Sequence, residues 1–238
     1  MTFNHKLVNK FLEAIFPLPE KFGISNYEDN DSEPIDFSSF KEAVYDVDHD
    51  ASVCFGVSKI VIISPHLGDV VIKIPFNGYF FETEDEDGNS NGIDWYSFYW
   101  ATGSDPSDYC LAEYEKYNKL KTYGLDCFVA KILYYKTICG VRVFLQEKVI
   151  PQNDLCHSYK PSKKSQDLAK KWYNEGKFYI NSEWIANCLD KYGKSKVKRF
   201  LYYCENIDPD ILEDVHSGNY GYRKNETPVI LDYSNFSD

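Results

Sequence analysis

The chain has 238 residues, with 43% apolar, 26% charged and 17% aromatic side chains, which is globular composition rather than that of a disordered chain. Lys and Arg total 26 against 37 Asp and Glu, a net charge of −11. That balance opposes general binding to nucleic acid or to an anionic membrane and suits solubility or a basic partner.

Leu7, Val8, Phe11, Leu12 and Ile15 form one helical stripe, stopped by Pro17 and Pro19. Lys and Glu interrupt this apolar pattern, so it does not read as a signal peptide. No apolar run reaches the roughly 18 residues of a membrane span. The expected setting is cytoplasmic. Residues 26–34 are acidic and polar and read as a loop. From Ser52 the texture turns to β. Residues 52–64 read as one strand, 65–68 as a turn and 69–76 as a second strand, together a hairpin.

Residues 82–92 are acidic and glycine-containing. Asp85, Asp87 and Asn89 fit the start of a calcium loop, but Ser90 and Tyr96 stand where Gly and Glu are needed. A solvated loop is expected instead. Asp105-Pro106 is a capped helix start, with the helix running to about Thr122. Residues 128–138 and 141–150 read as a second hairpin around Cys139-Gly140, and residues 151–161 as a polar connector. Helical patterns follow at 162–175, 181–192 and 195–204. A last hairpin is expected from Tyr220–Tyr222 and Val229–Leu231, around Lys224-Asn225-Glu226.

Strand runs followed by helix runs predict an α+β fold or two lobes. The boundaries read as a helical lead-in over 1–39, a β-rich lobe over 40–148, a connector over 149–161 and a helical lobe over 162–238. The seven cysteines form no C-x-x-C pair, so buried, reduced thiols are expected.

Lys73 sits inside the apolar run Val70-Val71-Ile72-Lys73-Ile74. Lys is rarely buried without a partner. It is either a strand-edge Lys reaching water or a cation held for an anionic ligand. On the following helix, Glu113 shares a face with Tyr117 and Leu120, while Glu115 points roughly 200° away. Glu113 therefore borders the core and Glu115 faces water. Near the C-terminus, Asp214 and Asn219 precede the expected hairpin and Asp232 follows it. Two acids and an amide gathered by a hairpin suit Mg²⁺, a hard cation that takes oxygen ligands, with phosphates completing its shell; the alternative is a polar surface turn.

Taken in order, Gly56, Lys73, Glu113, the strand ending Gln146-Glu147-Lys148, Asp214, Asn219 and Asp232 resemble the protein-kinase superfamily. VIKIP resembles the V-A-I-K strand, which implies that Lys73 meets the phosphates and pairs with Glu113. LEDVHSGNYGY resembles the catalytic loop H-R-D-L-x-x-x-N, which implies that Asp214 is the base and Asn219 a metal ligand. Asp232-Tyr233-Ser234 resembles D-F-G, with Asp232 on Mg²⁺. The resemblance also implies ATP contacts from Gly56, Ser58, Lys73, Glu147 and Val149, with residues 144–149 as the hinge strand.

DVHSGN, the Pro65-His66 corner and the Ser234-Asn235-Phe236 ending are similar to small bacteriophage-encoded early serine/threonine kinases. The implied fold is a minimal two-lobed kinase-like structure with a shortened helical C-lobe, since only six residues follow Asp232. The implied activity is ATP–Mg²⁺ phosphotransfer to Ser or Thr of host proteins. The departures are a single Gly56 in place of a glycine-rich loop, thirty-nine residues between Lys73 and Glu113, His216 where many kinases keep a Lys or Arg, Ser234 in place of the final Gly of D-F-G, and no activation segment. They leave two other readings: a kinase-like protein that binds a host factor through its acidic surface, and small-molecule phosphotransfer.

Overall fold

The computed structural model describes residues 1–16, 35–56, 58–84, 90–101, 108–152, 160–176, 181–213 and 218–233. The protein is α+β with antiparallel sheets. It divides into two compact units, residues 1–111 with 132–147 and residues 112–131 with 148–238. Residues 112–131 thus group with the C-terminal unit rather than with the β-rich stretch around them. Among the described residues no helix is long and apolar enough to cross a membrane.

The first unit opens with α1 (His5–Ile15), whose Asn4 cap accepts the Leu7 N–H at 3.2 Å. The helix buries Val8, Phe11, Leu12 and Ile15 in the sheet's own core, so it is part of this unit rather than a separate lead-in. Strand β1 (Ile35–Asp36) runs into α2 (Phe37–Val47), and Asp36 caps that helix by accepting the Ser39 N–H at 2.8 Å. The sheet is completed by β2 (Ser52–Phe55), β3 (Lys59–Ile63), β4 (Val70–Glu84), β5 (Ser90–Trp100), β6 (Ile132–Ile138) and β7 (Val141–Glu147). A cluster of rings fills its α2 side. Phe37 meets Phe55 edge-on at 4.3 Å, and Phe98 meets Trp100 at 4.9 Å.

Strand β4 changes partners along its length. Val70–Lys73 pair with β7, Ile72–Pro75 with β3, and Phe76–Glu84 with β5. The stretch expected as a single strand over 52–64 is itself a hairpin. The Gly56 N–H donates to the Lys59 carbonyl at 2.8 Å and closes the turn between β2 and β3. Much of the acidic stretch 82–92 lies in the β4–β5 ladder rather than in a loop, because backbone pairing continues through Glu82, Thr83 and Glu84. Asp85, Asp87 and the rest of 85–89 lie outside the described residues.

The helix expected from Asp105-Pro106 is described as α3 (Tyr109–Thr122), and residues 105 and 106 lie outside the description. Asp108 supplies the cap. Its Oδ1 accepts the Leu111 N–H at 2.9 Å, and its Oδ2 accepts from Arg142 of β7 at 2.9 Å.

The second unit contains most of α3, then α4 (Lys163–Asn174), α5 (Ser182–Tyr192), α6 (Lys194–Asn206) and the short α7 (Asp210–Glu213). Its sheet joins β8 (Ile150–Pro151), β9 (Tyr220–Tyr222) and β10 (Pro228–Ile230) in the order β10-β9-β8. The start of the stretch read as a connector is therefore a strand. Gly221 is required there, because a Cβ would lie 2.3 Å from the Ile150 carbonyl oxygen.

The β9–β10 hairpin is tied to the segment after α3. The Ala130 N–H donates to the Ile230 carbonyl at 2.8 Å, and Arg223 donates to the carbonyls of Cys127 and Val129 at 2.9 and 3.1 Å. Six cysteines are described and all are free. Cys110, Cys188 and Cys204 are buried as expected, whereas Cys54 is exposed on the outward face of β2 and Cys139 in the turn between β6 and β7.

Candidate functional site

Lys73 occupies the one part of β4 that has a neighbour on both sides. It stands opposite Val61 of β3 and Phe144 of β7. It is 5% exposed, so it is a buried cation on a central strand and not an edge Lys reaching water. Preceding it in the chain, Gly56 and Ser58 form the β2–β3 turn. A Cβ on Gly56 would meet only the Lys59 carbonyl oxygen, at an ordinary 3.6 Å, and Gly56 has no positive φ. The fold alone does not require glycine there. Ser58 is 3% exposed, and its hydroxyl has no hydrogen-bond partner among the described residues. A buried hydroxyl without a partner costs free energy on the order of 1–3 kcal/mol, and a ligand atom would relieve it. Glu147 ends β7 opposite Val70 and is half-buried. Val149, also half-buried, lies in the short link to β8.

Glu113 lies on α3 in the second unit and is fully buried, together with Tyr117 and Leu120. Glu115 is exposed. The helical-face argument thus gives the observed burial of both acids.

Asn219 and Asp232 lie at the base of the β9–β10 hairpin. The ladder pairs Ile230 with Tyr220, so the next step outward faces Leu231 and Asp232 with Asn219. The Asn219 carbonyl accepts the Leu231 N–H at 2.7 Å and lies 3.5 Å from the Asp232 nitrogen. The backbone therefore brings an amide and a carboxylate residue side by side from thirteen residues apart. Tyr233 fixes the chain just beyond them, being 1% exposed and donating its hydroxyl to the Ala130 carbonyl at 2.9 Å. At the turn-side end of β10, the Tyr192 hydroxyl lies 2.6 Å from the Cys127 carbonyl and 2.7 Å from that of Pro228. Burial pushes the Tyr192 pKa well up, so this hydroxyl stays a donor. Asp214 lies outside the described residues.

A further cluster was not singled out from the sequence. Asp48, Asp50 and His66 bring three acid or imidazole atoms within 4.8 Å of one another, alone in doing so among the described residues. His66 Nδ1 lies 3.0 Å from Asp48 Oδ2, and Nε2 lies 3.9 Å from Asp50 Oδ2. Ser64 donates its hydroxyl to the same Asp48 oxygen and accepts the His66 N–H at 2.9 Å. The Ser64 hydrogen bond, with those from His66 and the Asp50 backbone, holds the Asp48 carboxyl below its usual pKa. The Asp48 carboxylate holds His66 above its usual value. The cluster joins the end of α2 to the 3₁₀ turn Pro65–Leu67 that leads into β4. The D-x-D spacing of 48 and 50 was visible in the sequence; its meeting with His66 depends on the intervening β2–β3 hairpin.

Compared with family models, with curated proteins and with solved structures, the chain matches none.

Proposed function

We propose that this chain is a minimal kinase-like protein that binds ATP with Mg²⁺ and transfers a phosphoryl group to Ser or Thr of a protein substrate. The observation that carries this reading is the meeting of Asn219 and Asp232 at the base of a hairpin held by Arg223 and Tyr233. An amide oxygen and a carboxylate are hard donors of the kind Mg²⁺ takes, and they leave coordination positions for phosphate oxygens and water. Support also comes from the buried Lys73, the buried Glu113 and the unpartnered Ser58 hydroxyl.

In this reading Lys73 orients the phosphates and Glu113 holds Lys73. Ser58 and the backbone at Gly56 cover the phosphates, and the backbone between Glu147 and Val149 receives the adenine. Asn219 and Asp232 hold the metal, which neutralises phosphate charge when bound. Asp214, assigned by its resemblance to the catalytic-loop Asp, accepts the substrate hydroxyl proton as the new O–P bond forms and the bond to the ADP oxygen breaks. The protein's contribution is positioning and charge stabilisation.

The test is thermal melting with and without Mg-ATP, followed by radiolabel transfer into a host extract by wild type and by Asp214→Ala. A ligand at one hundred times its dissociation constant stabilises by about 2.7 kcal/mol, so a clear melting shift is expected. Labelling is expected from wild type and not from Asp214→Ala. A shift without labelling would transfer the reading to the host-factor-binding alternative. No shift in folded protein would remove nucleotide binding altogether.

A further inference from the structure

The net charge of −11 hides a strong segregation. Residues 160–206 carry eleven Lys and Arg against five Asp and Glu, while the remainder of the chain carries fifteen against thirty-two. Seven of these cations lie exposed on two helices of the second unit. Lys163, Lys164, Lys170 and Lys171 of α4 are exposed, as are Lys194, Lys198 and Arg199 of α6.

Between these helices and the turn after α3 lies a groove of about 580 Å³, mostly apolar in lining. Three of the chain's exposed large apolar side chains gather in it: Tyr202 at 63% exposure, Tyr123 at 44% and Ile207 at 37%. Scattered exposed aromatics need no explanation, but several in one concave patch mark a contact surface. Two cations are held at its edge. Lys198 Nζ lies 5.8 Å from the centre of the Trp172 ring, and Arg199 donates to the Tyr123 carbonyl at 2.9 Å. Each positive head is thus fixed beside apolar surface, with part of its ordering cost already met within the fold.

We propose that this groove docks an acidic segment of a partner protein, with one bulky apolar side chain of that segment seated between Tyr123, Trp172, Tyr202 and Ile207. The segment's carboxylates lie against Lys198 and Arg199. Charge complementarity selects the acidic partner, and the apolar lining selects one that also carries an anchor. A nucleic acid fits less well. Glu205 lines the same groove, and phosphates need a continuous basic track, which an otherwise strongly acidic molecule does not offer. The proposal is independent of phosphotransfer, since its residues are not those assigned to nucleotide or metal.

The test is fluorescence anisotropy with three labelled probes: a peptide with one Phe among Glu residues, the same peptide with Ala for Phe, and oligothymidylate. The Phe peptide is expected to bind most tightly and to weaken as salt is raised. Lys198→Glu and Tyr202→Ala, both at exposed positions, are each expected to weaken it by about tenfold with unchanged melting. Tighter binding of oligothymidylate would overturn the proposal in favour of nucleic acid. No peptide binding, or equal binding by wild type and both variants, would also overturn it. So would concentration-dependent self-association in sedimentation that Lys198→Glu abolishes, because the groove's occupant would then be a second copy of the chain.

Discussion

Lys73 and Gly221 show two ways in which a single residue is fixed by its surroundings. Lys73 is conspicuous in the sequence because a cation interrupts an apolar run, and its burial on a central strand follows from the two ladders that flank it. Lys73→Met keeps the length and apolar stem of the side chain and removes the charge. It is expected to leave a cooperative melt while abolishing the Mg-ATP shift, and to slow any phosphotransfer by about 10²–10³-fold, the usual scale for one preorganised electrostatic contact. A retained shift would release Lys73 from the phosphates. Gly221 carries no such signal in the sequence, where it looks like one more residue of a Gly/Asn-rich turn. The requirement for glycine appears only once Ile150, seventy-one residues earlier, is seen to approach its Cα. Gly221→Ala forces backbone apart rather than a flexible side chain. It is expected to cost about 3 kcal/mol, the upper end of the overpacking range, in chemical denaturation of the whole chain.

At the level of elements, helical patterning and caps found most of the helices, and β-branched, apolar texture between turn residues found most of the strands. Where the reading failed, a backbone hydrogen bond decided. Nothing in the composition of residues 52–64 separates one strand from two; the Gly56–Lys59 bond does. The acidic stretch 82–92 reads as a loop because its side chains are polar, yet ladder pairing does not depend on side-chain polarity and β4–β5 runs through much of it. The α2–β4 corner was likewise hidden, because Asp48 and His66 are eighteen residues apart and meet only through the hairpin between them.

That corner has a definite pH signature. His66 is raised above its ordinary 6.5 by Asp48 and Asp50, so its share of stability is fully present below pH 6.5 and is lost as pH rises through its folded value. Asp48 is lowered below 3.8 chiefly by Ser64, so its share is present above pH 3.8 and is lost as pH falls through its folded value. Wild type is therefore expected to lose stability between near-neutral and alkaline pH relative to His66→Gln, in which this slope is absent. Parallel curves for the two proteins in urea titrations across that range would show that the clasp does not contribute.

For the whole molecule, the sequence suggests two consecutive lobes, but the chain passes between its two units at 111/112, 131/132 and 147/148. Helical and strand patterns cannot reveal this, because it depends on pairings such as Ala130 with Ile230, one hundred residues apart. A polypeptide of residues 148–238 lacks Cys127, Val129 and Ala130, the carbonyl and amide partners of Arg223, Tyr192, Tyr233 and Ile230. It is expected to show no cooperative thermal transition alone, and to gain one when residues 112–131 are supplied as a separate peptide. A sharp transition without that peptide would contradict the interleaving.

The same crossing has a consequence for synthesis on the ribosome. The first unit has all its strands once residue 147 has emerged, including the β7 partner of Lys73. Residues 112–131 by then have left the tunnel too, but their β10 partner is still some eighty residues from emerging. At translation rates of about 5–20 residues per second, the buried face of α3 waits on the order of ten seconds for the rest of its own unit. The apolar Leu120, Leu125 and Phe128 of that segment are the residues a nascent-chain chaperone would meet in that interval.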